Sequence, residues 1–207
     1  YCCWERFQII YKVLGLYYFM KLRDAIEGRI DVKRWDLKKP DWRRIIRAID
    51  AARFGATAGN HFAVRFILVE DEGVIKKLAD ASQQKFISKA KYVVVAVSDD
   101  SGLVRSYDKR GKEYCSRHAG AVIGNFLLGL EEEKLVTSWV WYYVDEQVKR
   151  VLGIPGNLNV EGIFPIGRRS KISKERGRAM KLENILYFGK YGERKMRPHT
   201  KLKRASI

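Results

Sequence analysis

Residues 41–66 read DWRRIIRAIDAARFGATAGNHFAVRF. The first half of this stretch predicts an amphipathic helix. Ile45, Ile46, Ile49, Ala52 and Phe54 recur at helical spacing, while Arg43, Arg44 and Asp50 lie off that stripe. Asp41, after Pro40, is suited to cap the first turn with its carboxylate, and Gly55 is suited to close the helix in the left-handed conformation. Ala56, Thr57, Ala58 and Gly59 are small enough for a backbone to approach something closely, and Asn60 offers both a donor and an acceptor. A strand follows by Phe66–Val69. Read alone, the passage serves equally as a plain polar loop between a helix and a strand.

The neighbouring segments extend the pattern. Glu72–Ala81 predicts a helix and Ala90–Val97, rich in β-branched residues, a buried strand. The charged run Ser98–Lys112 predicts an exposed loop. Glu113–Glu133 predicts a long helix whose apolar face holds Ala119, Ala121, Val122, Phe126 and Leu127, with Gly120 and Gly124 open to close helix approach. Leu135–Val144 predicts a strand, Asp145 a cap for the next helix, and Gly162–Gly167 a further strand. Upstream, Leu22–Gly28 predicts a short helix, and Arg29-Ile30-Asp31-Val32-Lys33-Arg34-Trp35 has the alternation of a charged edge strand.

Taken together and in order, these fragments resemble the nitroreductase family of FMN enzymes. Gly55-Ala56-Thr57 stands where that family has Ala-Pro-Ser, and Asn60 matches its asparagine. Arg29–Trp35 resembles its Arg-x-Ser-x-Arg/Lys-x-Phe. Thr137 and Trp139 match its Gly-Leu-Gly-Thr-x-Trp-x-Gly strand, Leu152-Gly153-Ile154-Pro155 is similar to a family segment, and Arg176-Gly177-Arg178 resembles its Lys-x-Arg. The sequence departs at Asp31, where serine is usual, at Phe62, Ala63 and Val64 in place of Gln, Pro and Trp, and at Val136 and Trp141, which replace glycines.

The resemblance implies an α+β fold, a three-layer α/β/α arrangement on a mainly antiparallel central sheet, in an obligate homodimer with FMN between subunits. It implies that Arg29, Asp31, Lys33, Arg176 and Arg178 of one chain and Thr57, Ala58, Gly59 and Asn60 of the other surround the cofactor. Arg29, Arg176 and Arg178 would hold its phosphate, for which a guanidinium fork is well matched. Lys33 would sit at the pyrimidine edge, where a fixed cation favours negative charge on the reduced ring. The backbone at Thr137, Ser138 and Trp139 would lie against the isoalloxazine. Trp141 would narrow the substrate pocket or stack on an aromatic substrate, or else serve core packing. A carboxylate at Asp31 repels phosphate unless cations intervene, and is suited to a ribityl hydroxyl instead.

No protein side chain is expected to be catalytic, because flavin N5 carries the hydride. The implied activity is NAD(P)H-dependent reduction of nitroaromatics, quinones or similar acceptors by a ping-pong mechanism. Two alternatives stay open: a specialised flavin reaction such as oxygen-dependent FMN cleavage to dimethylbenzimidazole, which also carries Asp at the position of Asp31, and a basic nucleic-acid-binding protein on a degenerate scaffold. Choice of NADH or NADPH is not legible.

Composition bounds the rest. The 207 residues are one domain's length, with 46% hydrophobic and 12% aromatic residues, as in a packed globular protein. Cys2, Cys3 and Cys115 lack metal spacing and read as reduced thiols in a cytoplasmic protein, and His61, His118 and His199 are too scattered for a metal site. His118, beside an apolar stripe, reads as structural. No Gly-x-Gly-x-x-Gly follows a strand and no P-loop is present. The net charge of +17 attracts phosphates of cofactors, nucleic acids or lipids. No membrane partner is expected. The expected organisation is an N-terminal extension at 1–19, an FMN-binding domain at 20–189 and a basic tail at 190–207. For the extension, an upstream sequence, a subunit-packing helix and a membrane-surface anchor compete.

Overall fold

The computed structural model describes residues 20–170 and 180–196. The chain divides into two compact units, Tyr1–Glu175 and Arg176–Ile207. Among the described residues of the first, six α-helices and four strands follow one another: α1 (Leu22–Gly28), α2 (Trp42–Ala52), β1 (Val64–Val69), α3 (Glu72–Ala81), β2 (Tyr92–Ser98), α4 (Ser101–Tyr107), α5 (Arg110–Glu132), β3 (Leu135–Val136), α6 (Asp145–Leu152) and β4 (Asn159–Arg168).

The strands form one antiparallel sheet in the order β1-β2-β4-β3. All seven residues of β2 are buried, which explains its unbroken Val-Val-Val-Ala-Val: a strand covered on both faces has no polar side. Tyr92, Val94 and Ala96 point into a core shared with Ile45, Ala48 and Ala52 of α2 and Val122 and Phe126 of α5. Val93, Val95 and Val97 point the other way, against Ile75 and Leu78 of α3 and Val148 of α6. The α/β/α layering and the mainly antiparallel sheet are therefore as the sequence implies.

Five local expectations are corrected. Ser98–Lys112 is not a loop: α4 and the start of α5 occupy it, because Leu103 hides a buried apolar anchor in a charged run. On α2 the buried positions are Ile45, Ala48 and Ala52, whereas Ile46 and Phe54 are 43% and 69% exposed. Gly55 does not take the left-handed conformation. Its necessity is steric, since a Cβ there would stand 2.9 Å from the Val122 Cα on α5. Only Leu135 and Val136 of the 135–144 segment form a strand; beyond them, the Trp139 indole donates to the Glu161 carbonyl at 3.1 Å and the Tyr143 hydroxyl to the Val160 carbonyl at 2.7 Å. Asp145 lies inside α6, with Val144 at the cap. Asp41 does cap α2, accepting from the Arg43 amide at 3.0 Å.

In the second unit a short turn at Leu182–Asn184 precedes a Tyr187–Tyr191 ring contact, and Arg194 donates to the Glu183 carbonyl at 3.1 Å. Arg176 and Arg178, residues 1–19 and 197–207 of the basic tail lie outside the described residues.

Candidate functional site

The segment after α1 runs beside the end of β3. The Val32 amide donates to the Thr137 carbonyl at 3.0 Å, and Asp31 bridges Thr137 in parallel register. Arg29, Asp31, Thr137, Ser138 and Trp139 are thus brought to one edge. Thr137 and Ser138 are buried. An Arg29 Nη1 stands 3.7 Å from an Asp31 oxygen, so the departure from serine has placed a counter-charge beside the candidate phosphate ligand. Lys33 directs its ammonium over the Phe86 ring, 5.6 Å from the centroid. Trp139 stacks on Trp141 with centroids 4.0 Å apart and planes 22° from parallel, and Trp141 is 70% exposed, forming an aromatic surface rather than core packing.

The second group of predicted residues forms a tight turn. Ala58 and His61 pair across it, the His61 amide donating to the Ala58 carbonyl at 3.1 Å. Its two central residues, Gly59 and Asn60, have φ of 56° and 58°. That is the backbone of a type I′ turn, and Asn and Gly are the residues that tolerate it. A Cβ at Gly59 would run into the Tyr107 hydroxyl. His118 fastens the turn from α5. Its Nε2 accepts from the Ala63 amide at 3.2 Å, which leaves the proton on Nδ1, donated to the Ala56 carbonyl at 2.7 Å. Ala56, Thr57, Ala58, Tyr114, Arg117, His118 and Ala121 line a cleft between the turn and this helix.

A third constellation was not anticipated. Glu131, near the C-terminal end of α5, is 8% exposed. Arg169 Nη2 donates to its two oxygens at 2.8 and 2.7 Å and to the Gly28 carbonyl at 2.9 Å. Burial pushes the Glu131 carboxyl above the ordinary range, opposed by the charges of Arg169 and Arg29. The signal was present in the sequence: Glu131 lies four residues after Leu127, so it continues the apolar stripe inside a run of three glutamates. Glu161 is a second carboxyl raised by burial, against a hydrogen bond from the Ser98 hydroxyl that lowers it.

His118 and Glu131 mark the two halves of the candidate site on the same helix. Thirteen residues separate them, about 20 Å at 1.5 Å per residue. Midway between them lies Gly124. Among the described residues, neither it nor Gly120 has a neighbour within 4 Å of where a Cβ would stand.

Residues 80–168 match the model of the nitroreductase family. The fold is that of the nitroreductase family. Among curated relatives, an iodotyrosine deiodinase of Thermotoga neapolitana is 23% identical over 162 residues, covering 70% of this chain and 87% of that protein. Two solved structures carry the same nitroreductase fold. One is an oxidized iodotyrosine deiodinase bound to FMN and 3-iodo-L-tyrosine, with a TM-score of 0.67 and 19% identity over 78% of this chain and 97% of the other. The other is an NADPH:FMN oxidoreductase of Vibrio harveyi complexed with NAD+, with a TM-score of 0.72 and 16% identity over 83% of this chain and 78% of the other. Within the nitroreductase fold described here, no helix among the described residues is long and apolar enough to cross a membrane.

Proposed function

We propose that the protein is an FMN-dependent oxidoreductase acting as a cytoplasmic homodimer, with each cofactor held between two chains. One observation carries this reading: the two halves of the candidate site lie about 20 Å apart on α5, with the open Gly120–Gly124 face between them. A two-fold axis near Gly124, crossing α5 antiparallel with its copy, would bring the 57–60 turn of one chain beside the Arg29 end of the other.

The residues present fit FMN. Arg29 is a forked donor for phosphate, the Thr137–Trp139 backbone offers an edge for the ring, and the turn at Gly59 and Asn60 exposes main chain. Lys33 is assigned to the pyrimidine edge. Once bound, the group supplies hydride acceptance and return at N5, in separate half-reactions with NADH or NADPH and with a nitroaromatic, quinone or similar acceptor. The chain's own part is to fix the phosphate, orient the ring and present Trp141 as a stacking surface for a planar acceptor.

A second reading, reductive dehalogenation of an aromatic substrate, is favoured by the likeness to the Thermotoga neapolitana deiodinase. The test is an absorbance spectrum of the purified protein under nitrogen, before and after NADH and then NADPH. Flavin bands that bleach support the oxidoreductase, and halide release from a halogenated tyrosine during reoxidation would favour the second reading. A colourless protein that ignores added FMN would overturn both.

A further inference from the structure

The geometry points to Glu131 and Arg169 as the positioning pair that holds Arg29 in place for a flavin phosphate, an inference that rests on the reading above. Burying a carboxylate is unfavourable unless it is well paired. Here the arrangement fixes the end of α1, not a ligand. Arg169 Nη2 bridges both Glu131 oxygens and the Gly28 carbonyl, the group immediately before Arg29. The Arg29 amide in turn donates to the Ala25 carbonyl at 3.1 Å, closing the last turn of α1. Arg29 also feels the Glu131 charge. A Cβ at Gly28 would stand 2.9 Å from a Glu131 oxygen, so a side chain there must displace that carboxylate.

The guanidinium of Arg29 faces the Asp31 carboxylate and lies within the field of Glu131. Asp31, 3.7 Å away and largely exposed, stands where an incoming phosphate would compete with it for Arg29. Glu131 is buried and already engaged, so it remains and keeps the backbone before Arg29 fixed. Without Glu131, Arg169 has no reason to stay on the Gly28 carbonyl, and the turn that aims Arg29 loses its brace.

The experiment compares FMN with riboflavin, which lacks the phosphate, by fluorescence titration of flavin-free full-length protein. Wild type should prefer FMN. Glu131→Gln should lower that preference about tenfold, through FMN alone, with riboflavin affinity unchanged. Gly28→Ala leaves every charge in place and displaces only the Glu131 contact. It should move the preference in the same direction and serves if Glu131→Gln fails to fold. A preference abolished by Arg29→Ala but untouched by Glu131→Gln and Gly28→Ala would overturn the inference alone. So would equal weakening of both ligands, which is what a merely structural role produces. Wild type that binds neither flavin would overturn the underlying reading instead.

Discussion

His118 and Ala56 are joined across the start of the 57–60 turn by an Nδ1–H donated to a carbonyl at 2.7 Å. The other ring nitrogen accepts from the buried Ala63 amide, so one neutral tautomer fastens both ends of the turn to α5. His118→Phe keeps the ring's bulk and loses both bonds. Leaving the Ala63 amide unpaired should destabilise the protein by about 1–3 kcal/mol, read as a lower urea midpoint. FMN affinity should fall as well, because the turn is no longer held.

Arg29 and Asp31 should show opposite effects on the cofactor. Arg29→Ala should weaken FMN binding by about 1.5–3 kcal/mol, the usual size of a lost hydrogen bond to a charged group. Asp31→Ser removes an exposed carboxylate beside the proposed phosphate site and should tighten binding by up to about 1 kcal/mol. Titrations at two salt concentrations check both, and the gain from Asp31→Ser should shrink at the higher one.

Glu161 makes stability depend on pH. Burial raises its carboxyl above the unfolded value, so the folded state holds the proton to higher pH than the unfolded chain does. Its contribution is therefore most favourable at low pH and is lost as pH rises from the ordinary glutamate range through the raised value. Glu161→Gln keeps an acceptor for the Ser98 hydroxyl and removes the buried charge. The variant should be more stable than wild type at pH 7, with the difference closing toward pH 4. Urea denaturation at both pH values measures it.

Gly124→Leu tests the crossing of two α5 helices. A Cβ at this position meets nothing within 4 Å among the described residues, so the substitution should leave the monomer fold in place. In the proposed dimer it stands at the axis. Light scattering should report a monomer, and the protein should lose its flavin.

Much of the fold was legible because its signals are local and periodic. Glu72–Ala81 is helical over the expected residues, and the valine run of β2 could only be a covered strand. What escaped reading depends on partners distant in sequence. Nothing near Gly55 announces Val122, and nothing near Phe54 says that its ring stays outside while Ala48 goes in. A single buried Leu103 was outweighed by the charges around it. At the candidate site, Arg29, Asp31 and Thr137–Trp139 were legible as a motif and do meet in space. The brace behind them was not: Glu131 falls on the apolar stripe of α5, but nothing near it names Arg169, 38 positions away, as its partner. For Asn60 the motif named the residue, and the backbone supplies the reason in a left-handed turn.

The close seating of α2 on α5 has a consequence for how the protein would respond to dilution. At one end Gly55 admits Val122, and at the other Gly129 sits where a Cβ would be 2.9 Å from the Ala48 Cα. Pinned twice, α2 moves with α5, and the turn that follows α2 inherits its place from that helix. On the proposed reading, whatever sets the angle between two α5 helices also sets the width of the cofactor cleft. Association and cofactor retention are then thermodynamically linked, each strengthening the other. Flavin content should rise with protein concentration, and excess FMN should shift the monomer–dimer balance toward the dimer.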